Sequence, residues 1–110
     1  MQYLCTQHRE VVLQSMHSAL HFWQQWMRQG QQHLAKGDNQ TALALLGCAY
    51  EISHWLLGKP ELVNNKQNFY HIDRFILAGR YLSRCYAAMG RFDVELHLLL
   101  CTHHRLCRYL

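Results

Sequence analysis

The chain has 110 residues and a formal net charge of +4, with 50% hydrophobic and 16% charged residues. This composition excludes a disordered chain, and the length allows one hydrophobic core and therefore one domain. Six glycines and a single proline leave few places to interrupt the chain, which favours long helices over a many-stranded β fold. The modest charge disfavours nucleic-acid binding, because a nucleic-acid binder usually carries a denser basic stripe.

The cysteines indicate a reducing compartment. They are five in number, and none of them forms a Cys-x-x-Cys pair. No basic-then-apolar signal segment opens the chain. The longest uncharged apolar run, residues 42–50, is far shorter than the roughly 20 residues of a membrane span. We therefore expect a cytoplasmic protein whose thiols are reduced and act as small hydrophobic side chains.

Helical periodicity dominates the first half of the chain. Apolar residues recur every three or four positions from residue 7 to residue 36, which predicts one long helix ending at Gly37. Asp38 is a typical N-cap for a second helix, because its carboxylate can accept the free amide hydrogens of a first turn. That second helix is expected to end before Gly58.

The second half repeats this organisation after a linker at residues 58–67, which contain the only proline and an Asn-Asn pair. Periodicity resumes at Phe69 and stops at Gly90. A fourth helix then follows with an apolar side made of Leu96, Leu99, Leu100, His103, Leu106 and Leu110. The sequence predicts an all-α domain over residues 1–110, with four helices in two pairs, at about 7–57 and 68–110.

The two pairs share a spaced set of small and large residues when Gly37 is aligned with Gly90. The first pair supplies Trp26, Gly30, Ala42, Leu46 and Ala49, and the second supplies Leu82, Tyr86 and Leu99, with Ser83 at the small position. These spacings resemble the tetratricopeptide repeat (TPR), in which helix-turn-helix units stack through large-small contacts. The resemblance covers residues 23–56 and 76–109. It departs from the family pattern at Gln29, His33, Gly79, Glu95 and Thr102.

The resemblance implies two TPR-like helix-turn-helix pairs that form a short α-solenoid or bundle. It also implies a non-enzymatic adaptor or small chaperone-like protein that binds a peptide or helix of a protein partner. The family's groove positions fall here on Gln24, Met27, Gln31, Leu34, Leu77, Arg80 and Arg84. Arg80 and Arg84 are four residues apart, so both can face a partner with an acidic segment. An unrelated antiparallel four-helix bundle would have the same apolar periodicity.

Three glycines inside predicted helices, Gly30, Gly47 and Gly79, need a physical reason. A helical glycine costs about 1 kcal/mol relative to alanine. We expect each glycine to let a bulky side chain of a neighbouring helix approach the backbone. At the C-terminal end, the last helix has no further unit to cover it. This end predicts either a homodimer through the C-terminal helix or the docking of a partner.

Two other functions remain as alternatives. A DNA-associated helical regulator could use the basic C-terminus, which contains His103, His104, Arg105 and Arg108. A metal-binding helical bundle could use His97, Cys101 and His104, which share one helix face. A tetrahedral site is rarely built on a single helix, so we predict no metal and no cofactor. The sequence contains neither a Gly-rich phosphate loop nor a nucleophile elbow, so we predict no catalytic residues.

Overall fold

The computed structural model describes residues 3–59 and 65–108, with residues 65–70 described as helix only. The described residues form five helices and no strand, so the all-α prediction is confirmed and the helix count of four is wrong. The helices are α1 (Thr6–Val12), α2 (Met16–Ala35), α3 (Asn39–Leu57), α4 (Asn65–Ala88) and α5 (Phe92–Leu106).

The additional helix arises because the predicted first helix is broken at residues 13–15. The hydroxyl of Ser15 caps α2 by accepting the backbone N–H of Ser18 at 3.0 Å. The hydroxyl of Ser18 in turn donates to the carbonyl of Val11 at 3.2 Å. Serine side chains compete in this way with the helical backbone bonds. The apolar periodicity continues across the break, which is why periodicity alone predicted one helix.

Consecutive helices pack against one another along the chain. The closest backbone packing joins α2 to α3, α3 to α4, and α4 to α5, while α2 meets α4 over a short stretch. Helices α3 and α5 meet through side chains, including a 2.8 Å hydrogen bond between the hydroxyls of Tyr50 and Thr102. The largest fully buried apolar side chains of this stack include Leu46, Ile52, Leu56, Phe75, Leu82 and Leu98. None of the described helices is both long and apolar enough to span a membrane.

The turns of the two helix pairs have the same geometry. Gly37 and Gly90 have φ angles of +81° and +73°, a left-handed conformation that glycine adopts without a steric penalty. In both turns, the residue after the glycine donates its N–H to a carbonyl in the last turn of the preceding helix at 2.9 Å. These bonds are typical of the Schellman motif and join Asp38 to His33 and Arg91 to Tyr86. The predicted helix ends at both glycines are confirmed.

The predicted ends of α3 are also confirmed, whereas the linker is partly wrong. The Asp38 carboxylate accepts the N–H of Thr41 at 3.3 Å, and Gly58 follows the last residue of α3. Residues 60–64 of the predicted linker lie outside the described residues. Residues 65–67 belong to α4. The prediction placed the helix start at the first apolar position, although lysine and glutamine before it are good helix formers.

The glycine contacts are of three different kinds. A Cβ on Gly30 would lie 2.6 Å from two carbons of Leu46, so the expected close approach of a neighbouring helix is confirmed. A Cβ on Gly47 would overlap the ring of Tyr3, which precedes α1 and belongs to no helix. The expectation of a helical neighbour at Gly47 is therefore wrong. A Cβ on Gly79 would lie 3.4 Å from Tyr50, an ordinary contact that leaves room for a methyl group.

The residues before α2 hold α3 and α4 together, and we name residues 3–12 the N-terminal strap. The Glu51 carboxylate on α3 accepts the backbone N–H groups of Tyr3 and Leu4, at 2.7 and 3.2 Å, and pairs with Arg9. The Tyr3 hydroxyl is 2.7 Å from the hydroxyl of Tyr86 on α4. Burial, followed by this hydrogen bond, raises the pKa of Tyr3. The strap therefore connects α3 and α4 through side-chain and backbone hydrogen bonds.

Candidate functional site

The most apolar exposed surface of the described residues lies on α5. Four large side chains of this helix are strongly exposed: Phe92 (65%), Leu96 (59%), Leu99 (46%) and Leu100 (59%). Their spacing of i, i+4, i+7 and i+8 places them on one side of the helix. Only three other large hydrophobic side chains among the described residues are exposed, and none of them is on α5. We name these four residues the α5 apolar face.

The orientation of α5 differs from the one expected for a core-facing row of leucines. The buried residue of this helix is Leu98, which has no exposed surface, while Leu96, Leu99 and Leu100 point outwards. Leu106 is half-buried, and Leu110 lies outside the described residues. Helix α5 carries apolar residues on two sides, so periodicity could not decide which side packs on α4. The sequence does contain the buried residue, Leu98, but it also contains the outward leucines on another side of the helix, and nothing in the spacing distinguishes the two sides.

The two ends of α5 carry opposite charges. Asp93 and Glu95 lie in the first turn, and Asp93 is 3.4 Å from the Nε of Arg91. The hydrogen bond from Arg91 lowers the pKa of Asp93. The C-terminal end carries exposed His103, His104 and Arg108. This arrangement suits the helix dipole, and it flanks the α5 apolar face with an acidic end and a basic end.

The groove expected between α2 and α4 is only partly formed. A small cavity of about 180 Å³ lies there, lined by Trp23, Asp73, Arg74 and Leu77. Among the predicted groove residues it contains Leu77 alone. Met27 is only 3% exposed and packs in the core, so it offers no surface to a partner. The other predicted residues range from half-buried to exposed: Gln31 and Leu34 are half-buried, and Gln24, Arg80 and Arg84 are exposed.

The arginine pair of that groove stands on the outer surface of α4. The guanidinium group of Arg84 lies 5.0 Å from the ring centre of Tyr81, a cation–π distance within the same helix.

The residues predicted to pack the repeat are mostly buried: Gly30, Ala42, Leu46, Gly79, Leu82, Ser83 and Tyr86 are buried and Trp26 is half-buried.

A cleft of about 200 Å³ lies between α3 and α5, lined by Tyr50, Glu51, His54, His97, Leu98 and Cys101. Two of the three metal-ligand candidates line this cleft, where the Sγ of Cys101 is 3.5 Å from the Nε2 of His97. All three candidates, including His104, line an adjoining open cavity of about 490 Å³ on α5. No group of three potential ligands that could hold a metal ion occurs in the part of the chain that the structure describes. Glu51 is already occupied by the N-terminal strap. Burial, followed by the nearby charge of Arg105, lowers the pKa of His54.

The described surface therefore offers an apolar helix face, a weakly concave α2/α4 surface and a cleft between α3 and α5. The five cysteines are free thiols, of which Cys5, Cys101 and Cys107 are exposed. Of the three surfaces, the α5 apolar face has the chemistry best suited to a large partner, because a contiguous row of exposed leucines gains most from removal from water.

Comparison of the chain with protein-family models, curated proteins and solved structures gives no match.

Proposed function

We propose that this protein is a non-enzymatic, TPR-like interaction module that binds an amphipathic helix of a protein on the α5 apolar face. The observation that carries the proposal is the row of four large apolar side chains that are 46–65% exposed on one helix. Exposed apolar patches of this kind are typical of interaction sites. Rows spaced at i, i+4 and i+7 are the pattern by which helices recognise one another.

The order of the stack supports a helix as the ligand. Each of α2, α3 and α4 packs against the helix that follows it in the chain, whereas no described helix packs on the outer side of α5. A bound helix would take the place that a further repeat occupies in a longer solenoid. The outward leucines would then contact leucine, isoleucine or phenylalanine side chains of the ligand.

A cytoplasmic location is part of the proposal. The exposed thiols of Cys5, Cys101 and Cys107 would stay reduced there and would not cross-link the protein at random. The exposed pair Arg80 and Arg84 supports a second, weaker contact with an acidic segment of the partner. These two contacts can be separated by mutation because they involve different helices.

The test is affinity capture from an extract of the native host, with quantitative mass spectrometry of the proteins that bind. Leu96→Gln with Leu99→Gln should reduce capture of the specific partner at least tenfold. Val11→Gln is the matched control, because Val11 is also exposed but lies on α1, away from both proposed contacts. It should leave capture unchanged. Arg80→Glu with Arg84→Glu should reduce capture by a smaller factor if the partner has an acidic segment.

Salt distinguishes this proposal from DNA association. Capture through the α5 apolar face should survive raised salt, since apolar contacts are not screened, whereas binding to nucleic acid weakens steeply. Circular dichroism must show that the variants keep their helices. Full capture of the same partner by a folded Leu96→Gln, Leu99→Gln protein would reject the α5 apolar face as the binding site.

A further inference from the structure

The charges at the two ends of the α5 apolar face are complementary to those of a second α5 helix that packs on it in the antiparallel direction. The face is apolar in the middle. Asp93 and Glu95 lie at one end, where Arg91 pairs with Asp93 at 3.4 Å, and the basic residues lie at the other end: His103, His104, Arg105 and Arg108. Two α5 helices packed in parallel would bring like charges together at each end. Two antiparallel helices would place the acidic end of each beside the basic end of the other, and this holds at both ends.

The positions of these charges on the helix agree with an antiparallel pair. Asp93 and His104 are about three helical turns apart and therefore lie on the same flank of the apolar row. A two-fold axis that lies in the interface and runs perpendicular to α5 makes the same flank of each helix meet its own copy, as isologous interfaces require. Asp93 of one copy would then lie on the same flank as the partner's His104, about half a turn from it along the helix axis, and this arrangement would occur twice.

From this self-complementarity we propose that the ligand of the α5 apolar face is α5 of a second copy of this chain, bound antiparallel in a two-fold dimer. The proposal rests on the proposed function, of which it names the partner. With the axis between Leu99 and Leu100, Leu99 packs on the partner's Leu100. Towards the ends, Leu96 meets the partner's His103 and Phe92 meets the partner's Cys107.

The size of the face predicts the strength of this dimer. A stable interface of standard size buries about 800 Å² on each partner and uses about 20–30 residues a side. One side of a single fifteen-residue helix, α5, is smaller than that. We therefore expect a reversible dimer that forms with rising protein concentration. The same face remains free to exchange its second copy for a helix of another protein.

The first experiment measures mass in solution by sedimentation or light scattering at protein concentrations from about 1 µM to 1 mM, a range that brackets typical weak complexes. The wild-type protein should shift from monomer to dimer. The folded Leu96→Gln, Leu99→Gln variant should remain monomeric over the same range, whereas Val11→Gln, at an exposed position of α1, should dimerise like the wild type. Because the dimer is symmetric, the two substitutions remove four apolar side chains from the interface, and we expect a loss of at least tenfold in affinity.

The second experiment reads the orientation by cross-linking. In a background of Cys5→Ser and Cys101→Ser, the substitution Phe92→Cys places a new thiol opposite the partner's Cys107. Mild oxidation, with oxidised glutathione accepting the two electrons and two protons of the thiols, should join these two positions between chains. Peptide mapping identifies the linked pair. The same background with Phe92 unchanged is the control, and it should show much less intermolecular disulfide.

Three results would overturn the dimer. A wild-type chain that remains monomeric at every concentration would do so, and so would a dimer that the leucine substitutions leave intact. Cross-links that join like positions, such as Cys107 to the partner's Cys107, would show a parallel pair instead. If the wild type is monomeric but the leucine substitutions still abolish capture of another protein, the proposed function stands and only the second copy is rejected. If neither association depends on these leucines, both proposals fail.

Discussion

The two helix pairs share one turn and differ in what covers them. Gly37 and Gly90 have nearly the same backbone conformation and the same capping hydrogen bonds. The leucines nine residues after them, Leu46 and Leu99, are nevertheless 0% and 46% exposed. Leu46 on α3 is buried and packs against Gly30 of α2, whereas Leu99 lies on the outer side of α5. The comparison shows that the turn is determined by local sequence, while burial depends on the next element in the stack.

The largest expected difference between the pairs concerns these two leucines. Leu46→Ala should lower the free energy of unfolding by about 2–5 kcal/mol, because it removes buried methyl groups and leaves a cavity beside Gly30. Leu99→Ala should change it by less than about 0.5 kcal/mol, as is usual at exposed positions. Urea unfolding followed by circular dichroism measures both, at a protein concentration low enough to keep the chain monomeric. Equal losses of unfolding free energy would mean that Leu46 and Leu99 are buried to the same extent, which would contradict the comparison.

The parts of the fold that sequence predicted well are those with a local cause. The ends of three helices follow from Gly37, Asp38 and Gly90, whose conformations and capping bonds involve only residues within one turn. The small residue Gly30 predicted the approach of a bulky neighbour, which is Leu46. In each case the sequence contains both the requirement and the residue that satisfies it.

The parts that sequence missed depend on contacts between distant residues. The ring of Tyr3 covers Gly47, and the Glu51 carboxylate binds the backbone of the N-terminal strap, with more than 40 residues between the partners. The apolar periodicity of the sequence does not predict such contacts. The side of α5 that faces outwards was missed for the same reason, since Leu98 and Leu99 are equally apolar and only packing on α4 distinguishes them.

A smaller effect tests whether the two turns are equivalent. Gly37→Ala and Gly90→Ala should each destabilise the fold by about 1–2 kcal/mol, because an L-residue is strained in the left-handed conformation and no atom near either site adds a clash. Gly58→Ala is the control, since Gly58 has a φ of −84° and a Cβ there would make only ordinary contacts. Thermal unfolding should show two similar losses and almost none for the control. A large difference between Gly37 and Gly90 would contradict the shared turn.

The smallest expected effect concerns the residues that follow the two glycines. Asp38 and Arg91 have similar backbone angles, with φ −83° and ψ 76° for Asp38 and φ −92° and ψ 63° for Arg91. Only Asp38 caps its helix through its side chain. Asp38→Ala should therefore lower the Tm by a few degrees. Arg91→Asn should raise it slightly, because asparagine is among the best N-cap residues and would supply the bond that α5 does not have.

The pH dependence of these two variants identifies the cap as the cause. Hydrogen bonds from Thr41 lower the pKa of Asp38 below its ordinary value of 3.8. A carboxyl group whose pKa is lower in the folded state stabilises the fold above its unfolded pKa, and the stabilisation is lost as the pH falls through the folded value. The Tm difference between wild type and Asp38→Ala should thus be full at pH 6 and shrink below about pH 3.8. The gain from Arg91→Asn should not shrink in parallel, because asparagine does not titrate. A deficit of Asp38→Ala that is unchanged at low pH would show that its carboxylate is not what holds the start of α3.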